Sequence, residues 1–141
     1  MRTELDEVPF VRALGAKLVN AASGEAVLSL DLQERHLNSW AVAHGGTLMA
    51  LLDVAIARAG KTVSRGAAGS VTVEMKTSFL RPCVGRISAR ARVLHSTGSL
   101  AFCEAELLDQ SGELAAKASA TIKFLPDRKL AERPPAADAA K

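Results

Sequence analysis

Between residues 5 and 14, the apolar side chains Val8, Phe10, Val11 and Leu14 recur at helical spacing, and Gly15 follows as a stop. This predicts a short helix with Pro9 near its first turn. The rhythm then shortens to two: Ala26, Leu28, Leu30 and Leu32 alternate with Val27, Ser29 and Asp31. Residues 16–20 and 25–32 are therefore expected to be strands joined around Ser23-Gly24. The pattern lapses over 33–43, a polar loop holding His36, Asn38 and Trp40.

A helical period returns at 44–61, with Leu48, Leu51, Leu52, Ala55, Ile56 and Ala59 on one broad apolar face. Ala50, Ala55, Ala57 and Ala59 are small enough to let this helix lie close to a sheet or a partner. After a Gly/Ser/Ala connection at 62–69, strand-like runs follow at 70–80, 86–96, 100–109 and 113–124. Pro82 with Gly85, Thr97-Gly98-Ser99 and Gln110-Ser111-Gly112 punctuate them, and each is expected to turn an antiparallel hairpin. Two strands, one long helix and four strands give an α+β order, a single six-stranded antiparallel sheet wrapped around the helix.

Composition narrows the picture. A chain of 141 residues that is 48% hydrophobic suits one domain with one core. The net charge of +3 is spread along the sequence, and aromatics make up only 4% with no tyrosine, so stacking platforms for nucleic acid are few. Apolar stretches are interrupted by Asp53, Arg58 or strand-like alternation, and no charged-then-apolar leader opens the chain. The expectation is a cytoplasmic protein that binds neither nucleic acid nor membrane. Cys83 and Cys103 lack C-x-x-C spacing and are expected to be buried thiols. From residue 126 onward Arg, Lys, Pro and Ala dominate, so 1–125 is read as the folded domain and 126–141 as a solvated tail.

Chemistry concentrates at His44-Gly45-Gly46, where the long helix begins, and at Asp53 inside it. A helix start offers unpaired N–H groups and a partial positive charge, which stabilise a carbonyl oxygen as it becomes an oxyanion. Gly45 is the expected donor, since it has no side chain to block approach; the alternative is that Gly45 and Gly46 only ease a tight loop-to-helix junction. Asp53 is a poor helix former with no cation among its helical neighbours Met49, Ala50, Ile56 and Ala57. It reads as a nucleophile or a base that activates water, against the alternative of an acid on a solvated face.

Asn38, His44, Gly45, Gly46 and Asp53, spaced N-x5-H-G-G-x6-D, with Val73-Glu74-Met75 and Phe79-Leu80-Arg81-Pro82, resemble the hotdog-fold thioesterases of the PaaI-like, phenylacetyl-CoA-type branch. The resemblance runs to about residue 125 and implies an acyl-CoA thioesterase with active sites across a homodimer interface, in many members a dimer of dimers. It implies that Asn38, His44 and Gly46 help bind or orient the thioester carbonyl, with capping of the helix an equal alternative for His44. It also places Thr72 beside the catalytic acid, where its hydroxyl holds water or bonds Asp53, unless Thr72 is simply a good strand residue. Trp40 is a candidate lining of the acyl or pantetheine channel or else a packing anchor.

Arg81, with Lys76, Arg86, Arg90 and Arg92, forms a candidate basic stripe on neighbouring strands for the phosphates of coenzyme A. Lys76 stands where many relatives have Asn, and Ser39-Trp40-Ala41-Val42-Ala43 lacks a glycine frequent in relatives. No metal or cofactor is called for, as neither G-x-S-x-G nor H-E-x-x-H occurs. The other readings are a hotdog acyl-thioester hydratase/dehydratase and a non-catalytic acyl-CoA-binding module.

Helical rise adds a constraint. Eight residues separate Gly45 from Asp53 by about 12 Å along the axis, too far for both to act on one carbonyl carbon. Two antiparallel copies of the helix around a two-fold axis would instead bring Gly45 of one subunit near Asp53 of the other.

Overall fold

The computed structural model describes residues 4–126; of the expected tail at 126–141, residues 127–141 lie outside the described residues. One antiparallel sheet is built from β1 (Lys17–Ala22), β2 (Glu25–Asp31), β3 (Gly69–Phe79), β4 (Arg86–Ser96), β5 (Leu100–Leu108) and β6 (Leu114–Leu125). It wraps around the helix α2 (Gly45–Lys61), as expected of a hotdog fold. The predicted inner face of α2 is fully buried, from Leu48 through Leu51, Leu52, Ala55 and Ile56 to Ala59. Facing it are alternate strand residues, among them Leu28, Leu30, Ile87, Leu107 and Ile122. Gly60 marks the closest approach of helix to sheet, since a Cβ there would overlap Ile122 Cδ1. Both cysteines are buried and free, and burial raises both thiol pKa values, that of Cys103 to about 11.

Three expectations are corrected. The amino-terminal helix is split into a 3-10 turn (Glu4–Glu7) and the helix α1 (Pro9–Leu14). Val8 sits extended between them, because a residue before proline is pushed out of the helical region. Val11 and Leu14 are buried, but Val8 and Phe10 are exposed.

The second correction concerns Pro82 and Gly85, which do not turn a hairpin. The strand order is β1-β2-β4-β5-β6-β3, so β3 lies at an edge beside β6 while β4 lies beside β2. The intervening segment crosses the open end of the wrapped sheet. Leu80 and Arg81 donate to the Ala115 carbonyl, the Cys83 carbonyl accepts from Ala43, and the Gly85 carbonyl accepts from Leu32. This crossover thereby holds the residue just before the α2 cap.

The third follows from the second. Lys76 on β3 and Arg86, Arg90 and Arg92 on β4 are not on neighbouring strands, so no continuous basic stripe forms. Arg86 is held by both oxygens of Asp31 at 2.7 and 3.1 Å, and Arg92 by Glu104. Among the described residues, no helix is long and apolar enough to cross a membrane.

Candidate active site

His44 caps α2: its extended backbone ends the loop, and its Nδ1 accepts the Gly46 N–H at 2.9 Å. A neutral His44 therefore carries its proton on Nε2, which is left to donate outward. The cap also decides between the glycines. With the Gly46 N–H taken, the Gly45 N–H is the donor at the helix mouth with no acceptor among the described residues. Neither glycine adopts a positive φ, but a Cβ at Gly46 would crowd His44 Nδ1 at 3.1 Å, so the cap itself favours glycine there. A Cβ at Gly45 would meet the Phe79 ring at 3.4 Å, an ordinary van der Waals contact, so Phe79 stands beside the helix start.

The loop before the helix is tied down from several sides. Asn38 Oδ1 accepts from Trp40 at 2.9 Å and from Val42 at 3.3 Å, so its oxygen is spent on folding the loop. Trp40 projects outward and is 83% exposed, packing against no core. Ala41 takes a left-handed conformation, φ 58°, which an alanine adopts only at a cost.

His36, which no motif singled out, is 3% exposed and joins three elements. Its Nδ1 accepts from Gln33, its Nε2 bonds the Leu14 carbonyl at 2.8 Å, and its own carbonyl accepts from the His44 N–H and the Thr47 hydroxyl. The only sequence signal for this role was a lone histidine between Arg35 and Leu37, which is indistinguishable from an exposed one.

Asp53 is half-buried two turns along α2, and Thr72 donates its hydroxyl to Asp53 Oδ1 at 2.6 Å. The strand reaches Asp53 through a bulge. Thr72 pairs with Ile122 and Glu74 with Thr121, leaving Val73 unpaired, so the inward face of β3 passes from Thr72 to Met75, Thr77 and Phe79. One strand thus supports both ends of the motif, Thr72 at Asp53 and Phe79 at Gly45. Arg81 lies exposed in the crossover just beyond Phe79.

A cavity of about 370 Å³ opens beside Asp53, with walls from Val11, Val54, Ala57 and Phe124. The arrangement offers a backbone oxyanion donor, an oriented carboxylate and an apolar recess next to that carboxylate.

The chain is similar to known proteins to different depths. The family model described as Thioesterase superfamily matches residues 41–116. A Saccharolobus solfataricus protein, an esterase by name, is 33% identical over 106 residues, 74% of this chain and 75% of that protein. The medium/long-chain acyl-CoA thioesterase YigI of Salmonella typhimurium is 29% identical over 130 residues, 81% of this chain and 84% of YigI. Among solved structures, a single-substitution variant of the phenylacetic acid degradation protein PaaI from Thermus thermophilus is similar, with 33% identity and a TM-score of 0.75. That match covers 83% of this chain and 99% of the PaaI chain.

Proposed function

The chain belongs to the thioesterase superfamily and is on that membership a thioester hydrolase, and we propose that it cleaves acyl-CoA thioesters in the cytoplasm at sites shared between two subunits. Water and the thioester give a free acid and coenzyme A; the C–S bond breaks, and the departing thiolate takes up a proton. The observation that carries this reading is the division of labour on α2, where His44 caps Gly46 and leaves the Gly45 N–H for an oxyanion while Thr72 orients Asp53. One such donor is worth about 3 kcal/mol in the transition state. The named activity of YigI supports an acyl-CoA substrate, and the cavity beside Asp53 supports a recess for its acyl group.

Sharing of the site rests on distance and on an open edge. Gly45 and Asp53 are about 12 Å apart along one helix, so a single subunit cannot bring both to one carbonyl. Strand β3 ends the sheet and exposes Val71, Val73 and Phe79, with Leu80 exposed just after it. An exposed apolar edge strand favours pairing with another strand. Antiparallel pairing of β3 with its copy would lay two α2 helices side by side in opposite directions, joining Gly45 of each subunit to Asp53 of the other.

The reading is tested by assaying wild type and Asp53→Ala against a series of acyl-CoA thioesters from short aliphatic to aryl. Release of free thiol by the wild type and its loss in the variant is the expected result; equal turnover by both removes Asp53 from the chemistry.

A further inference from the structure

The cavity beside Asp53 has a far end that thioester cleavage leaves unused. It follows α2 from Asp53 past Val54 and Ala57 to Arg58 and Lys61, between apolar walls that include Val11 and Phe124. At that end Arg58 is largely enclosed, with a side chain 19% exposed. Its Nη1 donates to Glu4 Oε2 at 3.3 Å, and Lys61 bonds the same oxygen. Among the described residues, two cations therefore share the Glu4 carboxylate at this end. In addition, the Arg58 Nε–H is buried with no acceptor among the described residues. A buried donor on a charged group, beside a cavity, is an incomplete hydrogen-bonding position.

We propose that this end reads the acyl group and that the protein prefers acyl chains ending in a carboxylate, bound by the Arg58 Nε–H and the Lys61 ammonium. The inference deepens the proposed function and rests on Asp53 marking the position of the reacting thioester. Five residues of helix separate Asp53 from Arg58, about 7.5 Å of rise, which an extended chain of about six carbons spans. The methylenes lie along the apolar walls while the terminal oxygens meet the cations. A methyl terminus leaves the Nε–H unmet, and a hydroxyl satisfies the donor without answering the charge.

The test compares kcat/KM for hexanoyl-, 6-hydroxyhexanoyl- and adipoyl-CoA in the wild type, Arg58→Met and Glu4→Gln. Adipoyl-CoA is expected to exceed hexanoyl-CoA by about tenfold or more in the wild type, with the hydroxylated chain between them. Arg58→Met should bring that ratio close to one. Because Arg58 is enclosed and its loss can disturb folding, Glu4→Gln, at an exposed position, gives a second measure: removing the competing carboxylate should raise the ratio several-fold. Hydrolysis of all three thioesters with no preference for adipoyl-CoA, or a preference that neither variant alters, overturns this inference while leaving the acyl-CoA thioesterase reading intact. Failure to hydrolyse any of the three, with thiol released from other acyl-CoA thioesters, overturns this inference alone; no hydrolysis across the whole series from short aliphatic to aryl overturns both.

Discussion

The two ends of the motif on α2 are built from different materials. At Gly45 the working group is a backbone N–H, and the structure around it serves to leave that group uncovered: His44 caps the next residue, and the Cys83 carbonyl fixes Ala43. At Asp53 the working group is a side chain, aimed by a threonine on another strand. A backbone donor survives most substitutions and is lost only when it is removed or covered, whereas a carboxylate is displaced by Glu and lost with any other change of residue. The same helix should therefore respond to mutation in opposite ways at its two ends.

The largest effect is expected at the side-chain end. Asp53→Asn preserves size and helical context but removes the base or nucleophile, and kcat should fall about 10²–10⁴-fold with little change in KM. A loss under tenfold would mean that the carboxylate is not in the reaction.

The backbone end needs a substitution that deletes only the N–H. Proline does so at the first position of a helix without breaking it, and His44 already holds the extended conformation that a residue before proline adopts. Gly45→Pro should cost about 10²–10³-fold in kcat with the thermal transition preserved. Combining the two lesions then tests the shared site. After subunit exchange between Gly45→Pro and Asp53→Ala chains, half of the dimers carry one intact site of two, and about a quarter of wild-type turnover should return. No recovery after confirmed exchange would place both groups in one subunit's site.

Thr72→Val probes the link between the two ends with a smaller expected effect. Losing a hydrogen bond to a charged group should lower kcat by about tenfold, and Thr72→Ser should restore most of it. Equal activity in the valine variant would reduce Thr72 to a strand residue.

The two ends also differed in how far they could be read from sequence. Gly45 was legible because a helix start is a local event: the cap, the glycines and the apolar face are contiguous, and the helix begins where the pattern places it. The strands were legible for the same reason, since alternation and turn residues act over short range. The aim of Thr72 at Asp53 came from resemblance, because simple alternation groups Thr72 with Glu74 and Lys76. Only the bulge at Val73 turns Met75, Thr77 and Phe79 to the inner face with it, and a bulge is set by pairing with β6 about fifty residues away. The crossover at Pro82 failed as a hairpin on similar grounds, since turn residues report a change of direction but not the strand that is reached. His36 went unread because its three partners come from separate elements.

Ala41 gives the smallest prediction and the cleanest control on the backbone end. Its left-handed φ of 58° costs an alanine about 1–2 kcal/mol, while glycine relaxes that strain at some cost in unfolded-state entropy. Ala41→Gly should therefore stabilise the fold by about 0.5–1 kcal/mol, raising Tm by a few degrees. The helix start is held downstream of Ala41, by Ala43 on the Cys83 carbonyl and His44 on the His36 carbonyl. Turnover should thus stay at the wild-type level while stability rises. A fall in kcat with the predicted gain in Tm would show instead that the strained loop itself positions the Gly45 N–H, and the backbone end would then depend on a side-chain identity after all.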